Sequence, residues 1–204
     1  MVIGTTQTMR LTASMIFEAQ RPGVLLLVVG PSGAGKDTVM DGARRALAQE
    51  ERLAFARRSI TRRAGAGGED FEALSEREFA AADVSGEFAL RWRAHELSYG
   101  IRRSEIDPAI AGGKVVVANV SRGIIEPARQ AYPRVKVALV TAPPELLAAR
   151  LSARGRENVA DIGRRLSRAG AMDAGDCDFT IVNDRTIGEA VDDFVACLRE
   201  LAGT

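Results

Sequence analysis

One nine-residue stretch constrains this chain more than any other: Gly30-Pro31-Ser32-Gly33-Ala34-Gly35-Lys36-Asp37-Thr38. It follows a continuous apolar run at residues 24–29 and precedes Val39, Met40, Ala43 and Leu47, which recur at helical spacing. Strand, glycine-rich turn and helix in that order is the setting a phosphate-binding P-loop needs. The glycines let backbone N–H groups curl inward, and the helix N-terminus adds partial positive charge. Lys36 then reaches the β- and γ-phosphates of a nucleotide. The loop has one irregular position. Asp37 stands where a Ser or Thr normally holds Mg²⁺, and Thr38 comes one place late.

The chain has 204 residues, 46% of them hydrophobic, enough for one well-buried core with small insertions. A net charge of +1 argues against a general nucleic-acid surface. His95 is the single histidine, and Cys177 and Cys197 have no metal-ligand spacing, so neither a histidine triad nor a zinc site is expected. Two cysteines without a disulfide framework suit a reduced, cytoplasmic compartment. No apolar run approaches the roughly 20 residues that cross a bilayer, so no membrane association is expected. Residues 1–22 read as a polar, flexible lead-in, and 23–204 as a single domain. The sequence carries no signal of oligomeric state.

Beyond the P-loop helix, expected to end near Gln49-Glu50, residues 53–60 form a short strand candidate. Arg62 and Arg63 then lead into a glycine-rich loop, a setting suited to an anionic substrate or to a solvated surface. Ser75 and Glu78 have the spacing of a capping box for a helix. Residues 86–100 read as a hairpin in which Phe88, Leu90 and Trp92 alternate. Phe88 and Trp92 read as core positions, while Tyr99 stands between core and ligand contact.

Residues 114–118 form a Val-rich strand buried on both faces. Asn119, Ser121 and Arg122 follow at its C-terminal end, where open α/β sheets place ligands. Residues 135–140 form another buried strand, and Pro143-Pro144 opens a helix bearing Arg150 and Arg154 on one face. A second helix over 159–172 adds Arg164, Arg165 and Arg168. In an otherwise neutral chain this arginine-rich pair reads as a clamp for phosphates, or else as solubilising charge. A last strand ends at Asn183-Asp184, and an amphipathic helix closes the chain. Strands alternating with helices imply a doubly wound parallel sheet, interrupted by a partly antiparallel insertion at about 58–100.

This layout resembles the guanylate kinase-like branch of the nucleoside-monophosphate kinases. Ser59-Ile60-Thr61-Arg62, Gly86-Glu87-Phe88, Ser98-Tyr99-Gly100 and Ile181-Val182-Asn183-Asp184 are similar to motifs of that branch. Its guanine-reading Glu falls nearest to Leu90 here, and its Asp-Tyr pair becomes Asp70-Phe71. A closer similarity is to the ribose 1,5-bisphosphate phosphokinases of phosphonate breakdown. It rests on the Lys36-Asp37 junction, Ala73-Leu74-Ser75-Glu76 with Phe79, Asn119 with Ser121-Arg122, and Arg154-Gly155-Arg156-Glu157-Asn158.

The resemblance implies a five-stranded parallel core at 23–57 and 101–204, a substrate subdomain at about 58–100 and an Arg-rich lid at about 150–168. It implies transfer of the ATP γ-phosphoryl group to a sugar bisphosphate, with Mg²⁺. ATP is expected on Gly30 through Thr38, Arg156 and Asn183, with Lys36, Arg150, Arg154 and Arg165 catalytic. The substrate is expected on Arg62, Arg63, Tyr99, Asn119, Ser121 and Arg122, and the metal on Asp37 and Thr38. The strand at 114–118 ends without a carboxylate, so Asp37 is expected to supply one from the loop. Guanylate kinase activity and a non-catalytic binding module are the alternatives.

Overall fold

The computed structural model describes residues 22–63, 65, 69–153 and 177–203. Strand β1 (Val24–Val29) is buried along its whole length, as six consecutive apolar residues require. It is flanked by β7 (Val115–Asn119) and β8 (Val135–Thr141), with β2 (Leu53–Phe55) and β9 (Phe179–Val182) outside them. All pairings are parallel, in the order β2-β7-β1-β8-β9. Chain order reverses on either side of β1, which creates the crevice where such sheets bind ligands.

Alternation along β1 divides the core in two. Leu26 and Val28 join Val39, Met40 and Ala43 of α1 (Lys36–Ala46) and Ala190, Phe194 and Leu198 of α6 (Ile187–Ala202). Leu25, Leu27 and Val29 join Ile106 and Ile110 of α3 (Arg103–Ala111) and Ala128 of α4 (Ile125–Ala131). Helix α5 (Pro144–Ala153) begins at the proline that the sequence marks as its start.

A second sheet holds β3 (Arg58–Ile60), β4 (Phe71–Ala73), β5 (Phe88–Ala94) and β6 (Leu97–Arg102), in the order β4-β3-β6-β5. β5 and β6 form the expected hairpin, turning at His95 and Glu96, both at positive φ as a tight two-residue turn demands. Between β4 and β5 lies α2 (Glu76–Val84), and its Ser75–Glu78 capping box is formed as read.

Three expectations need correction. Residues 53–60 are two strands: β2 edges the central sheet, and after Ala56 and Arg57 the chain crosses into the second sheet as β3. Helix α1 ends at Ala46, short of Gln49. The alternation of Phe88, Leu90 and Trp92 is broken by a bulge between Phe88 and Leu90. Phe88 consequently packs against Phe79, while Leu90 enters the core beneath β1. Outside the described residues lie 1–21 of the lead-in, most of the 64–68 loop, the helix expected over 159–172, and Arg154, Arg156, Arg164, Arg165 and Arg168.

Candidate active site

The turn after β1 has the backbone geometry that a phosphate cradle requires. Gly33 and Gly35 each hold φ of 88°, a conformation that favours glycine, and Gly35 caps α1 with no side chain on its N-terminus. The first N–H groups of α1 therefore face outward with their dipole available to an anion. Lys36 Nζ donates to the carbonyls of Gly30 at 2.8 Å and Pro31 at 3.1 Å, arching over the loop. A strut from β9 supports the loop from behind. Asn183 Nδ2 donates to the Ala34 carbonyl at 2.8 Å, its backbone N–H donates to Thr141 at 2.7 Å, and its carbonyl accepts from Arg150 Nη2 at 3.1 Å. Among the described residues the buried Arg150 Nη1 has no hydrogen-bond partner and stands beside the loop's support.

From the loop a cleft of about 230 Å³, far larger than one water needs, runs toward the second sheet. Gly30, Ser32, Gly33, Gly35, Lys36 and Thr38 line its loop end. Trp92, Ala94, His95 and Tyr99 line the opposite end, where the Trp92 and Tyr99 rings stack 5.4 Å apart and 8° from parallel. Asp37 joins the two ends. Its Oδ1 accepts from Asn119 Nδ2 at 2.5 Å, at the end of β7, and lies 3.5 Å from Arg58 Nη2, on β3. Among the described residues the buried Asn119 Oδ1 has no hydrogen-bond partner.

The other sequence-predicted residues fall into two groups. Asn119 and Ser121 line the cleft, as Tyr99 does. Arg62 is one contact behind it, donating to the Tyr99 hydroxyl at 3.3 Å and lying 3.6 Å from Glu69. Arg62 and the exposed Arg63 line a separate shallow cleft with Thr61, Ser75 and Glu76. Pro31, Ala34, Arg122, Arg150 and Asn183 do not line the main cleft. Sequence reading missed Arg58, whose side chain is 13% exposed, together with its partner Glu69 and the cleft-lining role of Trp92 and His95. Trp92, read as core, is only half-buried: one face packs on Tyr99 and another opens to the cleft.

Electrostatics brace the second sheet. Glu72 on β4 accepts from Arg102 Nε at 2.7 Å and Nη2 at 2.9 Å, and from Ser59 Oγ at 2.5 Å. The Arg102 fork holds its carboxyl below the usual glutamate range, against the opposing effect of burial. Burial pushes the Cys197 thiol up to about 12, which makes it inert as a nucleophile. Among the described residues no three His, Cys, Asp or Glu side chains are grouped to hold a metal. The Asp37 carboxylate, half exposed, and the Thr38 hydroxyl both line the cleft beside Lys36. That donor set fits a hard cation that takes most of its shell from phosphates and water. Among the described residues no helix is long and apolar enough to cross a membrane.

No protein-family model matches the chain. The guanylate kinase from Anaplasma phagocytophilum shares its fold, with a TM-score of 0.65 over 91% of this chain and 89% of that one, at 20% identity. Similarity to curated relatives is far higher. The chain is 46% identical over 181 residues to ribose 1,5-bisphosphate phosphokinase PhnN of Brucella melitensis biotype 2, spanning 88% of this chain and 94% of the relative. It is 48% identical over 177 residues to the protein of the same name from Rhizobium etli, spanning 86% and 89%. With a P-loop at one end of its cleft, a second sheet at the other, and nearly half its residues shared along almost their whole length, this chain belongs to the ribose 1,5-bisphosphate phosphokinase family.

Proposed function

We propose that the protein transfers the γ-phosphoryl group of ATP to ribose 1,5-bisphosphate, giving 5-phosphoribosyl 1-diphosphate and ADP, as a step in phosphonate breakdown. The observation that carries this reading is the 46% identity over 94% of a relative bearing that enzyme's name. A sugar phosphate oxygen attacks the γ-phosphorus in line. The bond from that phosphorus to the bridging oxygen breaks, and ADP leaves with the electron pair. The attacking oxygen is already ionised near neutral pH, so no strong general base is needed.

Catalysis is then positioning and charge neutralisation. Gly30, Pro31, Ser32, Gly33, Ala34 and Gly35 form the cradle for the ATP phosphates, and Asn183 braces it. Lys36 moves from the loop carbonyls onto the β- and γ-phosphates. Arg150, Arg154, Arg156 and Arg165 close over the transferring group from a lid at about 150–168, excluding water. Tyr99, Asn119 and Ser121 face the sugar, with Arg62, Arg63 and Arg122 as cations around it. Asp37 and Thr38 are the residues that would hold Mg²⁺, which would neutralise charge on the transferring oxygens.

The test is ADP release from ATP–Mg²⁺ in separate reactions with ribose 1,5-bisphosphate, GMP and no acceptor, with the product identified by mass. Turnover with the sugar bisphosphate alone, yielding 5-phosphoribosyl 1-diphosphate, is expected. Preference for GMP would overturn the reading in favour of a guanylate kinase.

A further inference from the structure

We propose that Arg58 grips the phosphate that accepts the transferred group, a role that rests on the reaction proposed above and names the contact that aligns it. Among the described residues Arg58 is the one arginine lining the main cleft. It stands between the cleft's two ends. Its Nη2 lies 3.5 Å from Asp37, the residue after Lys36, and its guanidinium sits 5.7 Å from the centre of the Tyr99 ring. In-line transfer requires the attacking oxygen within about 3–3.5 Å of the phosphorus it attacks. The accepting phosphate must therefore lie between the donor loop and the Trp92–Tyr99 wall, where this guanidinium is.

The contacts that hold Arg58 have the chemistry of the ligand it awaits. A planar guanidinium fork matches carboxylate and phosphate alike. Glu69 engages Arg58 through both Nε, at 3.0 Å, and Nη2, and so sets the direction of a side chain only 13% exposed. The Asp37 contact is the loose one. A phosphate oxygen replaces it while Glu69 remains as the tether, and Asp37 is released toward the cation it would hold. The Asp that breaks the P-loop pattern and the arginine that sequence reading overlooked are thus two halves of one arrangement.

Trp92, the sole tryptophan, lines the same cleft and reports binding by its fluorescence. The experiment titrates ADP-loaded wild type, Arg58→Met and Arg58→Lys with ribose 1,5-bisphosphate and with ribose 5-phosphate, which lacks the accepting phosphate. Loss of a charge-assisted contact is expected to weaken the bisphosphate roughly 30-fold or more in Arg58→Met, and about fivefold or more in Arg58→Lys. Ribose 5-phosphate and ADP are expected to bind all three within about twofold, since neither ligand touches Arg58 in this arrangement.

Equal losses for both sugars overturn the proposal, because a structural strut or a grip on the other phosphate would produce them. An unchanged bisphosphate affinity overturns it directly. If Arg58→Met fails to fold, Arg58→Lys decides alone on the same contrast between the two sugars. A wild type that binds neither sugar defeats the kinase reading itself and the Arg58 role with it, an outcome distinct from variants that match an active wild type.

Discussion

At position 37 a carboxylate stands where the P-loop pattern has a hydroxyl, and the structure gives that exchange a local cause. Asp37 receives the Asn119 amide at the end of β7 and faces the Arg58 guanidinium from the second sheet. Its carboxylate thus occupies the place beside the β7 terminus where the strand itself supplies no acid. Asp37→Ser is expected to raise the Mg²⁺ concentration for half-maximal rate by about tenfold, as loss of one hard oxygen ligand would. A Mg²⁺ titration at saturating ATP checks it, and full activity at unchanged Mg²⁺ dependence would show the carboxylate to be only a partner for Arg58 and Asn119. Both anomalies were legible in the sequence, but the Asn119 amide as the partner of Asp37 was not, because Asn119 lies 82 positions from Asp37. Arg58 was hidden for a similar reason. Arg57 and Arg58 are adjacent and chemically identical, yet Arg57 lies in the crossing between the sheets and Arg58 opens β3. Arg57 pairs with Asp70 on the exposed side and Arg58 turns into the cleft. A three-residue strand carries too little pattern to say which would go where.

Among the elements, the short strands β3 and β4 need help from side chains, since each has only three residues to pair. Glu72 supplies it by joining β4 to Ser59 on β3 and Arg102 on β6, with Arg57 adding a weaker attraction. The Arg102 fork depresses the Glu72 carboxyl from its ordinary value of 4.5. A group depressed in the folded state stabilises above its unfolded pKa and loses that contribution as pH falls through the folded one. Glu72→Gln is therefore expected to lower Tm at about pH 7, and that deficit is expected to shrink as pH falls below the ordinary glutamate value of 4.5 and through the depressed folded one. Melting curves for both proteins across that range test it. An equal deficit at both ends would mean the side chain acts through packing alone. This cross-strand lock was not legible in the sequence, because Glu72 and Arg102 are 30 positions apart. The Ser75–Glu78 cap was, since it acts within one turn.

In the molecule as a whole, the two sheets share one core rather than meeting at a hinge of loops. Leu90 of β5 and Ile101 of β6 enter the same apolar cluster as Leu25 and Leu27 of β1 and Val116 of β7. Continuity of that packing gives the glycine-rich loop and the Trp92–Tyr99 wall a common foundation. It also changes what Leu90 means. By alignment of motifs Leu90 occupies the place of a guanine-reading glutamate, but the bulge after Phe88 turns it inward, where it is 3% exposed and outside the residues that line the cleft. From β5 the cleft instead receives Trp92 and Ala94. Restoring the acid by Leu90→Glu should then create no base-reading group. It would place an unpaired carboxylate among Ile101, Ile106 and Val116, at a cost of at least about 3 kcal/mol. The expected result is a large fall in the denaturant midpoint with no gain in GMP turnover. A stable Leu90→Glu protein that phosphorylates GMP would mean that β5 can present this position to the cleft, and that the choice between a base and a bare sugar rests on one side chain. Against that outcome stands the shared core, because a residue packed beneath both sheets cannot reach a ligand without parting them.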